Sequence, residues 1–151
     1  GEIYMESVRS LFIPVVGGNL LVPNAAIAEI IQYTEPDGSG DHPWMLGYLN
    51  WRDREVPLIS YEVANGGELP LPKSSMRIAV LKSLTSNDDM PYLAILTQRI
   101  PRLATIYEES IELLDDEAEL PDYGLQSVLA NGEPAIVPDL PKLEALVHSA
   151  I

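Results

Sequence analysis

An all-β fold with short helices is what this sequence predicts, on three observations. Thirteen prolines and ten glycines are spread over 151 residues and leave little room for long helices. The apolar residues fall in short runs bounded by turn residues. Two of the boundaries, Gly17-Gly18-Asn19 and Asn131-Gly132, are hairpin signals. Apolar residues make up 46% of the chain and charged residues 21%, enough to bury a core.

Leu11 to Val16 and Leu20 to Val22 read as the first hairpin. Ile27 to Tyr33 is too short for periodicity to separate a strand from a helical turn that leads into one. Glu35 to Pro43 is a loop by composition, and Trp44-Met45-Leu46 reads as a short helical turn. Residues 47–51 and 55–59 form a second hairpin around Arg52-Asp53-Arg54. The Pro/Gly-rich stretch Asn65 to Ser75 is the best boundary between two halves.

The second half offers strands at Met76 to Leu81, Tyr92 to Thr97 and Arg102 to Tyr107. Glu108 to Asp122 has eight acidic residues in fifteen and reads as a solvated loop or edge. Gly124 to Leu129 and Pro134 to Val137 flank the Asn131-Gly132 turn. In the closing stretch, Leu140, Leu143, Leu146 and Val147 share one helical face. A weak internal repeat runs through this order: Gly47 precedes Pro57 by ten residues and Ile59 by twelve, as Gly124 precedes Pro134 and Ile136.

Composition also excludes. The net charge of −14 opposes nucleic acid and anionic membranes at long range. The absence of cysteine removes disulfides, zinc thiolates and thiol nucleophiles, and fits a reducing compartment. No run of about 18 apolar residues spans a membrane and no signal peptide is apparent, so a cytoplasmic protein without membrane insertion is expected. Gly1 is read as a processed or tag-derived end, with Met5 near the start. There is no G-x-S-x-G, P-loop or G-x-G-x-x-G, and with two histidines catalytic side chains are scarce. No catalytic residue, cofactor or metal is assigned.

Arg52 is the residue to weigh. The ordinary reading of a turn arginine is a solvated charge. The alternative is a guanidinium pinned by a carboxylate so that it presents a binding edge. Glu29, set in an otherwise apolar run, is the candidate partner, since a carboxylate there needs compensation.

The order of these pieces resembles the CheW-like family of chemotaxis adaptors. That family shows a V-x-E-I-like run and then P-x-x-x-x-G-V-x-N-L-R-G-x-x-x-P-V-I-D. Ile27-Ala28-Glu29-Ile30 matches the first. Pro43 to Gly47, Tyr48-Leu49-Asn50-Trp51-Arg52 and Val56-Pro57-Leu58-Ile59 match the second. The likeness continues through Leu146. It implies a single domain over 1–151, made of two intertwined five-stranded SH3-like β-barrels. The subdomain halves would span about 11–66 and 76–138, with a C-terminal helix over 140–148.

The resemblance further implies a non-catalytic adaptor that holds a chemoreceptor's cytoplasmic tip and the regulatory domain of a CheA-type histidine kinase. Its partner-binding positions map onto Ile27, Glu29, Gly47, Asn50 and Arg52. The departures are Asp53 for the glycine after the arginine, Ser60 for the aspartate after P-V-I, Ala94 for a glycine and Gln98 for an aspartate. They mark a divergent member, of which the ChpC-type accessory adaptors of type IV pilus systems are the suggested subgroup. The reading from another class is a β-barrel domain that binds a small molecule or metal ion near Asp37–His42.

Overall fold

The computed structural model describes residues 6–115 and 119–151, so the reading of Met5 lies outside the described residues. Five strands come before the first α-helix: β1 (Ser7–Val15), β2 (Gly18–Pro23), β3 (Ile27–Gln32), β4 (Met45–Trp51) and β5 (Arg54–Ile59). Helix α1 (Tyr61–Ala64) follows. The second half holds β6 (Arg77–Lys82), β7 (Tyr92–Thr97), β8 (Arg102–Tyr107), β9 (Ile111–Leu114), β10 (Gly124–Ala130), β11 (Glu133–Pro138) and α2 (Leu140–His148). None of the described helices is long and apolar enough to cross a membrane.

The strands form two sheets, a six-stranded one ordered β8-β1-β2-β11-β10-β9 and a five-stranded one ordered β3-β6-β7-β5-β4. The all-β class with short helices holds. The sixth strand is β9, an edge strand inside the acidic stretch, paired to β10. Both sheets draw strands from either side of the 65–75 connection, which therefore separates two repeats in sequence but not two bodies in space. The third strand of each repeat crosses over: β3 pairs with β6, and β8 pairs with β1.

The apolar runs have a direct physical cause. In β1, Leu11 and Ile13 enter a core shared between the sheets, while Phe12 points into the core of the six-stranded sheet. In β6, Ala79 and Leu81 enter the shared core, while Ile78 and Val80 fill the five-stranded one. Strands β2 and β7 divide their residues in the same way. Successive side chains point to opposite faces, so a strand buried on both faces reads as a continuous apolar run.

The hairpins refine the expected boundaries. The first turn is Val16-Gly17, with Asn19 already inside β2. Trp44-Met45-Leu46 is not a helical turn. The turn closes one step earlier, Met45 N–H donating to His42 O at 3.0 Å, and Met45 then pairs with Ile59 as the start of β4. The repeat is real in topology, but the Gly–Pro spacing is two residues out of step. The equivalent turns are Arg52-Asp53 and Asn131-Gly132, which set Pro57 against Ile136.

Each helix ties down its own repeat through a buried glutamate. Glu62 on α1 accepts from Val16 N–H at 2.9 Å, from Gln98 Nε2 at 3.2 Å and from Ser60 Oγ at 3.3 Å. Glu144 on α2, 4% exposed, accepts from Leu84 N–H at 3.1 Å, and among the described residues its Oε1 has no donor. Val16 and Leu84 follow the first strands of their repeats. Counted along the equivalent strands, Gln98 falls on Ala25, which has no side-chain donor. Tyr61 adds a link from α1 to the second half, its hydroxyl donating to Tyr123 O at 2.9 Å, and burial pushes its phenol up to about 12.

Two expectations follow. Glu62→Gln should lower stability by about 1–2 kcal/mol, because charge-assisted bonds are lost. Glu144→Gln should leave stability within about 0.5 kcal/mol or raise it, since it keeps an oxygen to accept from Leu84 N–H and removes a buried charge that is incompletely hydrogen-bonded. Urea denaturation of both variants checks this, and equal losses would contradict it. Gly47 stands at φ 139°, and a Cβ there would lie 2.6 Å from Asp37 O. Gly47→Ala should therefore cost about 2 kcal/mol or more, whereas Gly18→Ala, with open space around it, should be near neutral.

Candidate functional site

The site grows out of the β4–β5 hairpin. Its two-residue turn has both members in the left-handed region, Arg52 at φ 48° and Asp53 at φ 59°. Such turns match the twist of the strands they join and favour Asn-Gly, as found at Asn131 (φ 51°) and Gly132 (φ 77°). An arginine in that conformation is strained by about 1–2 kcal/mol. The first turn is thus the conformationally expensive copy of the second.

A compact set of contacts offsets the strain. Glu29 lies on β3 and the turn follows β4, and these strands are the two edges of the five-stranded sheet. Glu29 Oε1 accepts from Arg52 Nη2 at 3.1 Å and from Trp51 Nε1 at 3.2 Å. The Arg52 guanidinium lies 4.5 Å from the Trp51 ring centroid. Tyr92, at the start of β7, meets Trp51 edge to face at 4.8 Å, and Arg54 approaches the Tyr92 ring at 5.5 Å. The Glu29 carboxylate therefore bridges a seam that has no backbone ladder.

The structure joins Glu29 to Arg52, the pairing that the residues alone raised. The Arg52 side chain is 65% exposed and that of Glu29 38%, so the pair faces solvent and is worth less than about 1 kcal/mol in isolation. Asn50 is exposed on β4 opposite Glu55. Ile27 is half-buried at the start of β3 and packs against the shared core. Gly47 is held by the crossing loop, where Asp37 and Tyr48 exchange backbone bonds of 2.8 Å. Of the five positions, Glu29 and Arg52 are in direct contact; Asn50 is near the turn, and Ile27 and Gly47 serve the frame.

Sequence reasoning missed Trp51 and Tyr92. Trp51 stands where the family pattern has leucine, and a large aromatic beside an arginine was the available signal. Tyr92 carried no signal, because only the β5–β7 pairing brings it near. An open cleft of about 510 Å³ flanks the hairpin, lined by Tyr48, Arg54, Pro57, Asp88 and Tyr92 among others. At the other proposed location, His42 stacks on Trp44 at 5.0 Å, and among the described residues no three His, Asp or Glu side chains converge to hold a metal.

The second barrel carries a related pair with the charges exchanged, its hairpin member lying two residues further along than Arg52 does in the first. Arg102 on β8 donates two bonds to Glu133, of 2.6 and 3.3 Å, beside the Asn131-Gly132 turn. Those bonds hold the Glu133 carboxyl below the usual range. Arg102 lies 5.0 Å from the Phe12 ring.

The turn strain is testable. Asp53→Gly, which restores the residue that the turn prefers, should raise stability by about 0.5–1 kcal/mol in denaturant titration. No gain would mean that the left-handed pair is unstrained.

No curated protein sequence matches the chain. Among solved structures it resembles the scaffolding protein TtCheW from Thermoanaerobacter tengcongensis, with a TM-score of 0.74 at 13% identity, over 93% of this chain and 89% of that one. That likeness shows a shared fold. The family model described as CheW-like domain matches residues 9–146, the span from β1 to α2. With that match over nearly its whole length, the chain belongs to the CheW-like domain family, whose members are non-catalytic scaffolds of chemosensory signalling.

Proposed function

We propose that this chain is an adaptor that links a chemoreceptor's cytoplasmic tip to the regulatory domain of a CheA-type histidine kinase, with Ile27, Glu29, Gly47, Asn50 and Arg52 forming or framing the contact. The observation that carries the reading is the Glu29–Arg52 pair at 3.1 Å, spanning the seam of the five-stranded barrel and facing solvent. A strained turn kept at an exposed position is the kind of feature that function retains. The net charge of −14 makes Arg52 and Arg54 a rare basic point on an acidic surface, suited to a carboxylate-bearing partner. In this reading the protein works in the cytoplasm, without nucleic acid and without inserting into the membrane. The departures at Asp53, Ser60 and Gln98 mark a divergent member, and the proposed role is that of an accessory adaptor acting in type IV pilus control.

Binding to a receptor tip and a kinase regulatory domain encoded in the same genome is the direct test. Affinities in the micromolar range suit transient signalling contacts. Arg52→Ala should weaken one of these contacts by about 1–3 kcal/mol, the range of a lost charge-assisted bond. Absence of binding to both partners at tens of micromolar would overturn the reading, and an Arg52→Ala effect below about 0.3 kcal/mol would remove Arg52 from it.

A further inference from the structure

The Arg52 guanidinium sits on an exposed turn whose own geometry does little to hold it. Its side chain carries about 2 kcal/mol of rotamer entropy, and an exposed ion pair alone recovers little of that. The fixed element beneath it is Trp51, which is 6% exposed and packed among Leu49, Val56 and Leu58. One oxygen, Glu29 Oε1, receives both the indole N–H and an Arg52 N–H, while the guanidinium lies over the same indole. The three groups close a triangle in which each restrains the other two. Leucine, which the family pattern carries at this place, can make neither the N–H bond nor the ring contact.

We propose that Trp51 is a positioning residue for Arg52: it anchors the carboxylate that Arg52 binds and carries the guanidinium on its ring face. It supplies the order that an exposed arginine side chain on this turn would otherwise lack. What Arg52 then contacts rests on the adaptor reading, but the positioning itself belongs to the free protein and is measured there.

The experiment is nitrogen-15 NMR of the free protein, reading the order and solvent exchange of the Arg52 Nε–H group. In the wild type that group should be nearly as ordered as the backbone. In Trp51→Leu its exchange should accelerate about tenfold or more, and Trp51→Phe, which keeps a ring but loses the N–H donor, should fall between. Unchanged Arg52 order in Trp51→Leu overturns the proposal. Should that variant not fold, unchanged order in Trp51→Phe overturns it equally. A merely structural tryptophan would lower stability without loosening Arg52.

A second arm uses the receptor-tip fragment. Trp51→Leu should weaken binding about as much as Arg52→Ala, and the double variant should bind no worse than Arg52→Ala alone. Full additivity counts against positioning. Failure of the wild type to bind either this fragment or the kinase regulatory domain overturns the adaptor reading, while the Arg52 NMR measurement still decides the role of Trp51.

Discussion

Four strands whose central residues have no solvent face dominate this molecule. The central residues of β1, β2, β6 and β7 are buried on both sides, and each strand needs a barrel interior on one face and the shared core on the other. A sheet made by one repeat alone would leave one of those faces in water. At about 25 cal/mol per Å² of apolar surface, that exposure is too large for a fold of marginal stability. The exchange of β3 and β8 between the repeats is the topological counterpart. Each repeat completes the other's sheet, so neither is a unit that can be removed.

The hairpin site depends on this arrangement. The five-stranded sheet has β3 and β4 at its edges, and no ladder joins them. An open seam leaves backbone groups and apolar interior exposed, a hazard that edge strands must manage. Here Pro36–Gly38 crosses over Gly47 on one stretch, while Glu29, Trp51 and Arg52 bridge another. The same carboxylate that closes the seam also sets the arginine on its outer surface. Structural closure and surface presentation are therefore one feature, and a substitution at Glu29 acts on both.

Much of this was legible beforehand. Continuous apolar runs, hairpin dipeptides and the α2 face at Leu140, Leu143 and Val147 all carried local signals. Glu29 was visible because a lone carboxylate in an apolar run requires a partner. What stayed hidden depends on which strands become neighbours. Trp51 and Tyr92 meet only after β5 pairs with β7, and Glu144 interrupts an apolar helix face for a bond to Leu84, far away in sequence. The apparent Gly–Pro repeat misled for a related reason: the backbone aligns on turns and pairing registers, and equal residue spacing is no substitute for either.

The exchanged charges of the two seams bear on how such a duplication is recognised. Glu29 sits opposite Val80, and Arg102 sits opposite Phe12, the equivalent position in the other barrel. Residue by residue, the two copies disagree in sign, and a comparison of their letters scores this as divergence. What recurs is an opposite-charge pair reaching from the third strand to the hairpin, with an aromatic ring beside the arginine. The hairpin member moves from the turn (Arg52) to the strand residue after it (Glu133, level with Arg54). The likeness of the two halves is therefore carried by a kind of interaction and its place in the fold, and single-site similarity underestimates it.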